Sequence, residues 1–435
     1  LIGIHDFTLC TGSHDTSGCD DREANDGSDG TGHGSHVAGT AVGNPYSTSI
    51  PVPNGTVPRT ISGVAPRANI VSYKACEVEA LCRGSWTLAA INRAVADRVD
   101  VINYSIGGDP RDPWTDASAT AMLNAREAGV VVVVAAGNEG PGAGTHTSPG
   151  NAPWVIGVAN TTHDRANVAR LTLSGGPTPP PGDGALLGAS LTGTPYGPAP
   201  IVHAGQFGSP LCATGPNVDA LPPDTRTSPW TGRPFSGQIV VCERGTYARV
   251  VKGLNVKNAG GGGMVLINTV EDGASLVADP HQLPATHLGH VDGVALAQWL
   301  SSGSGHQARI EASSVQRVSA FADVLDAGSG RGPVDGDWLK PNLAAPGSNI
   351  LAAYRGSAES YQFLSGTSMA SPHVSGAVAL LRQAHPGWGP AEVESALQAT
   401  ARASVRLPDG SSAAGVFDAG AGVVGDDLSA VFYNP

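Results

Sequence analysis

Three short stretches of the 435-residue chain hold residue types suited to chemistry. Ser365-Gly-Thr-Ser-Met-Ala-Ser-Pro-His-Val-Ser-Gly376 puts Ser368 at the start of a small-residue run with helical spacing. A serine in the first turn of a buried helix sits at the positive end of the helix dipole. Its small neighbours Gly366, Ala370 and Gly376 let other backbones come close. Such a hydroxyl is a nucleophile when a base takes its proton, and otherwise an ordinary N-cap. Asp29-Gly-Thr-Gly-His-Gly-Ser-His-Val-Ala-Gly-Thr40 offers the base. His33 stands between two glycines, so its ring is sterically accessible, and a near-neutral pKa suits proton transfer. The bland reading is a histidine that only begins a helix. His33 and His36 also form an i,i+3 pair, a weak metal site without a third ligand. Val134-Ala-Ala-Gly-Asn-Glu-Gly140 ends an apolar run at Asn138. An amide donor there points into the crevice at the carboxyl end of a strand, where open α/β sheets bind ligands, and it can stabilise an oxyanion. Alternatively it takes up a left-handed turn.

These side chains need a scaffold. Asn69–Tyr73, Val99–Tyr104, Val130–Ala136 and Trp154–Val158 read as strands, and Thr87–Arg98 and Thr115–Ala128 as helices. That alternation predicts an α/β fold with a parallel sheet covered on both faces. Residues 1–60 read as loop-rich apart from the helix that begins near His33. The Gly/Pro-rich run 175–182 reads as a linker. Beyond it, Gln238–Cys242 and Gly263–Asn268 read as strands around a helix at Tyr247–Ala259, which suggests a small α+β insertion. From Phe321 the α/β character returns, with helices at Ser368–Gln383 and Pro390–Ala401. The expected division is 1–172, 183–318 and 319–435.

Composition narrows the function. Asp and Glu number 37 against 25 Lys and Arg, a net charge of −12. Only Lys74, Lys252, Lys257 and Lys340 are lysines, so a general nucleic-acid or anionic-membrane binder is disfavoured. The longest apolar run is Val130–Ala136, far short of the ~20 residues of a membrane span. Six cysteines fall into local pairs, and short loops favour Cys10–Cys19, Cys76–Cys82 and Cys212–Cys242. Disulfides would place the protein outside a reducing cytosol. Six free thiols, or zinc at Cys10, His14 and Cys19, are the alternatives weighed; the spacing fits no standard zinc finger.

Together, in the order His, Asn, Ser, the three motifs resemble those of the subtilisin-like serine proteases, the subtilases. Asn103-Tyr-Ser-Ile-Gly-Gly108 and Leu339-Lys-Pro-Asn-Leu-Ala-Ala-Pro-Gly347 are also family-like; Ser35 is a mild variant. Gly237–Gly245 and Asn258–Met264 resemble the protease-associated (PA) domain inserted in many secreted subtilases. The insertion explains why Asn138 and Ser368 lie so far apart in sequence. The resemblance implies a secreted serine endopeptidase acting, as a monomer, on polypeptides. It implies Ser368 as nucleophile, His33 as base and Asn138 as oxyanion donor. Ser105, Ile106 and Gly107, with Gly137, are then the segments that receive substrate. No cofactor is required. Subtilases often hold structural calcium, but the acidic stretch Asp15–Asp29 reads as a solvated loop and leaves calcium open. Gly137 and Thr145–Ser148 are the expected pocket walls.

The sequence departs from the family at one point. The catalytic Asp belongs upstream of the His, in a strand ending Asp-Thr/Ser-Gly, and that motif is missing. Asp6 is the nearest candidate, but Phe7 and Thr8 follow it. Leu1-Ile-Gly resembles the segment that follows the Asp region in PA-containing subtilases, so the acid is expected upstream of residue 1. The competing class is a catalytically impaired subtilase fold that binds peptides or proteins through its PA domain. A PA-bearing metallopeptidase would need a ligand set the sequence does not assemble.

Overall fold

The structure, a computed structural model, describes residues 1–8, 28–52, 55–76, 82–215, 228–334, 338–355 and 360–425. Cys10, His14, Cys19 and most of the acidic stretch 15–29 lie outside the described residues.

The first part of the chain carries β1 (Gly3–Asp6), α1 (His33–Val42), β2 (Tyr46–Val52), β3 (Gly55–Ile61), β4 (Val71–Lys74), α2 (Gly84–Ala96), β5 (Val101–Tyr104), α3 (Ala117–Glu127), β6 (Val131–Ala135) and β7 (Ile156–Thr161). The second carries β8 (Arg165–Gly175), β9 (Ala185–Ala189), β10 (Tyr196–His203), β11 (Ile239–Glu243), α4 (Arg249–Asn258), β12 (Gly263–Ile267), β13 (Ala285–Leu288), α5 (His290–Ser301), β14 (His306–Ile310) and β15 (Ser314–Arg317). The third carries β16 (Leu343–Pro346), β17 (Ile350–Ala353), β18 (Tyr361–Leu364), α6 (Thr367–Ala384), α7 (Pro390–Ala399) and α8 (Val416–Ala419).

Strands β16, β7, β6 and β5 form a parallel sheet in that order. The wholly apolar β6 shows why both faces are covered: neighbouring residues point to opposite sides. Val131 and Val133 pack with Ala370, Val374, Val378 and Leu381 of α6 and Val393 and Leu397 of α7. Val132 and Val134 pack with Ile91 of α2 and Ala119, Met122 and Ala125 of α3. This is the α/β arrangement the alternation predicts. Lys340 is buried just before β16; its Nζ donates to Val155 O at 2.6 Å and Asn342 Oδ1 at 2.8 Å.

The sheet has a break. β1 pairs in parallel with β4, but among the described residues this pair forms its own two-stranded sheet, and β5 is hydrogen-bonded only to β6. Helix α2 is the crossover from β4 to β5. Every residue of β4 and β5 is half-buried, whereas every residue of β6 is fully buried. Among the described residues, β4 and β5 thus each lack a hydrogen-bonded neighbour on one edge, in a fold whose parallel sheets are normally well covered.

The second sheet orders as β14-β10-β11-β12-β13-β9-β8-β15, and an additional β14–β8 pairing joins it into a ring. It packs α5 on one face, through Leu296, Trp299 and Leu300, and buries Val256 of α4 against Val240 and Met264 on the other. Cys212–Cys242 lies in that core, and Cys76–Cys82 follows β4. This unit differs from the expected division, since its first strand begins at Arg165, before residue 183. The run 175–182 lies in a hairpin connection, because β8 returns antiparallel as β9. The turn-rich composition marked a reversal inside one sheet, not a tether between units. Within the stretch read as loop-rich, β2 and β3 pair as an antiparallel hairpin. Among the described residues, no helix is long and apolar enough to cross a membrane.

Candidate active site

Ser368 is the second residue of α6. The helix starts after Gly366, whose φ of 154° lies at the edge of the region open to glycine. Pro372 sits inside the helix and has no N–H, so the carbonyl of Ser368, four residues back, loses its helical partner. Ser105 fills the vacancy: its Oγ donates to Ser368 O at 2.9 Å. In return, the Ser368 hydroxyl donates to Ser105 O at 3.3 Å. Asn103, on β5, secures the pairing. Its Oδ1 accepts from Ser371 and Ser375, each at 2.9 Å, and its Nδ2 donates to Ser105 Oγ at 3.0 Å. One proline and one asparagine thereby set the end of β5 against the first turn of α6.

Asn138 stands just past β6, exposed, and the bonds of Thr367 bring it to Ser368. Thr367 N donates to Asn138 Oδ1 at 3.0 Å, its Oγ1 donates there at 3.1 Å, and Gly137 N donates to Thr367 Oγ1 at 3.1 Å. With Oδ1 held, Nδ2 is the free end of the amide: it has no protein acceptor among the described residues. Gly137 has φ 99° and is buried. Thr147 is wedged between it and Gly107. An added Cβ would lie 2.4 Å from Thr147 Cγ2 at Gly137, and 2.5 Å from Thr147 Oγ1 at Gly107. The two expected substrate segments are therefore spaced by one buried threonine within the Thr145–Ser148 wall. Gly108 continues the edge, exchanging backbone hydrogen bonds with Ser148 at 3.0 and 3.2 Å. Ser105 and Ile106 are half-buried, and Gly107 is exposed.

His33 opens α1, which packs against α6: a Cβ on Gly376 would meet Ala41 O. Asp29 shapes the turn before it. Its carboxylate accepts from the backbone N–H groups of Thr31 (3.1 Å), Gly32 (2.7 Å) and Ser35 (2.6 Å), occupying donors that the helix start leaves open. Sequence reasoning missed this role, although an acidic residue just before a glycine-rich helix start is a recognisable capping signal. The His33 ring is half-buried and hydrogen-bonded to neither Ser368 nor a carboxylate among the described residues. Burial holds its pKa below the ordinary imidazole value, and the Asp29 charge opposes that shift. His36 faces inward, its Nε2 against Ile350 O at 2.9 Å and Gln362 O at 3.1 Å. It thus serves to tie α1 to β17 and β18. No group of three or more His, Cys, Asp or Glu suited to a metal exists among the described residues.

Asp6 is engaged elsewhere. Its Oδ1 accepts from Thr8 N at 2.9 Å and Thr8 Oγ1 at 2.6 Å, and its Oδ2 lies 3.6 Å from Lys74 Nζ.

The fold and this strand-end constellation define an α/β protein with a serine at a helix start beside an amide donor. Residues 9–422 match the subtilase family of peptidases S8, and the chain belongs to it. It is 36% identical over 423 residues to subtilisin-like protease SBT1.7 of Arabidopsis thaliana, covering 92% of this chain and 52% of that protein. To subtilisin-like protease SBT1.6 of the same plant it is 38% identical over 393 residues, covering 86% and 48%. The chain thus spans about half the length of the curated relatives it matches. A solved structure, the psychrophilic subtilisin-like protease Apa1 from Pseudoalteromonas sp. AS-11, aligns with a TM-score of 0.48 at 18% identity over 99% of this chain and 88% of that one.

Proposed function

We propose that the chain is the protease portion of a secreted serine endopeptidase. The observation that carries this reading is the pair of Thr367 bonds to Asn138, which seat a donor amide beside Ser368. Ser368 Oγ attacks the scissile carbonyl, rotating away from Ser105 O. His33 takes its proton and returns it to the leaving amine. Asn138 Nδ2 and the Ser368 N–H hold the oxyanion. An extended peptide adds alongside Ser105–Gly107 by β-pairing, with Gly137 and Thr147 lining its side-chain pocket. The triad acid comes from a strand preceding Leu1 that pairs in the break between β4 and β5. Support for that reading lies in the two open parallel edges and in Asp6 being engaged by Thr8 and Lys74. The second sheet, with its Cys212–Cys242 bond, is read as a PA-type insertion, and the two disulfides support secretion.

A fluorophosphonate applied to the full-length protein tests the reading directly. Labelling of Ser368 is the expected result. Its absence would favour a peptide-binding module on a subtilase scaffold.

Two further outcomes follow from the geometry. Asn138→Ala should lower kcat by about 10²–10³ with little change in KM, measured on a peptide amide; a large KM effect at constant kcat would refute the oxyanion role. The rate of phosphonate labelling should climb with pH as His33 loses its proton. Burial favours the neutral ring, so in this chain the midpoint should fall below the ordinary 6.5. A rate that does not change from pH 5 to 8 would count against His33 as the base.

A further inference from the structure

We propose that Asn349 is a positioning residue through which the second sheet unit holds the nucleophile turn in place; this rests on the reading of Ser368 given above. Asn349 immediately precedes β17, half-buried, with φ 59°. Its side-chain amide acts like the peptide group of a neighbouring strand. Oδ1 accepts from Ala278 N at 2.6 Å, and Nδ2 donates to Leu276 O at 3.1 Å. Both partners lie in the segment between β12 and β13 of the second unit. The backbone N–H of the same residue donates to Ser365 Oγ at 2.9 Å, three positions before Ser368.

Bonds on either side reinforce the link. Gly366 N donates to Gly347 O at 2.9 Å. The Ser348 hydroxyl lies 3.3 Å from Asn160 Oδ1 and 3.4 Å from Asp326 Oδ2, and Asp326 Oδ2 also accepts from Ser275 Oγ at 3.1 Å. An apolar contact runs alongside: Phe363 of β18 packs against Leu191, Leu276 and Ala278. The path therefore leads from Leu276 and Ala278 through Asn349 to Ser365 and Gly366, and so to Thr367, whose N–H fixes Asn138. A displacement of the second unit moves the two groups that must lie about 3 Å from a reacting carbonyl. Errors near 1 Å in such placement cost on the order of 10²-fold in rate.

The left-handed backbone alone would be satisfied by glycine as well as by asparagine, which gives a clean test in the full-length protein. Asn349→Gly keeps the backbone conformation and removes both side-chain bonds. Asn349→Asp keeps the acceptor for Ala278 N and loses the donor to Leu276 O. Asn349→Gly is expected to lose about tenfold or more in kcat per titrated active site with KM within about twofold, and Asn349→Asp to fall between it and the parent. A lower Tm with unchanged kcat per titrated site would overturn the proposal, as would an Asp variant as slow as the Gly variant. Should Asn349→Gly fail to fold, a severalfold loss of kcat in Asn349→Asp is expected, and no loss overturns it. If the parent protein does not react with a fluorophosphonate, it is the nucleophile reading that fails. Amide exchange then tests the positioning by itself: the Gly366 and Thr367 N–H groups should exchange about tenfold faster in the Gly variant, and equal rates would refute the link.

Discussion

A Ser368→Ala variant of the full-length protein is expected to lose about six orders of magnitude in kcat on a peptide amide, and all fluorophosphonate labelling with it. The size follows from how the parts act. A serine, its base and its acid work as a unit, so deleting the nucleophile removes nearly everything the unit supplies, and only oxyanion stabilisation and binding remain. Folding should survive the change: Ser368 is half-buried, and its side chain makes one 3.3 Å bond, to the carbonyl of half-buried Ser105. Its backbone carbonyl, which receives the Ser105 hydroxyl, is untouched. A variant that keeps more than about 1% of parental turnover would end the serine-nucleophile reading.

The second large effect concerns the triad acid. On the proposal that the triad acid lies upstream of Leu1, the chain beginning at Leu1 should turn over about 10⁴-fold more slowly than a longer chain carrying that acid. Without an acid on its second nitrogen, the His33 ring has no fixed tautomer and no partner to stabilise its charged form. The charge that acts on the ring, Asp29, is spent on three backbone amides. Binding of an extended peptide inhibitor should change far less than kcat, because Ser105–Gly107 and Gly137 are already in place. Asp6→Asn supplies the control. It should leave turnover of the longer protein within a few-fold, since Asp6 serves Thr8 and Lys74. Equal kcat for the two chain lengths, together with collapse in Asp6→Asn, would instead make Asp6 the acid.

Much of this architecture was legible in the sequence, and the reasons differ by element. The extents of α3 and α6 follow from apolar spacing, and β6 follows from an unbroken valine run that only a doubly covered strand tolerates. The β2–β3 hairpin was hidden by Pro51 and Pro58, which argue against strands; a two-stranded ribbon is all edge and accepts them. Arg165–Gly175 read as the end of one unit and became the backbone of the next, because a hairpin's turn residues and a linker's are the same residues. At the site, Ser368, Asn138 and His33 stood out through their glycine neighbours. Thr147 stood out only as part of the Thr145–Ser148 wall; its place between Gly137 and Gly107 was hidden, since that contact with Gly107 is made only by folding. Asn349 was invisible for a similar reason: in Gly347-Ser-Asn349 it reads as a turn residue, and its partners Leu276 and Ala278 are brought to it only by packing of the second sheet.

The bonds that fix Asn138 to Thr367 join positions 229 residues apart. A ribosome releasing this chain emits the imidazole and the amide first, then the whole ring of strands, and only after it the serine. Contacts of such long range form last and slowly. Until residue 368 has emerged, the nascent polypeptide therefore lacks the hydroxyl that the proposed centre needs, and the imidazole and the amide wait on a scaffold still to be made.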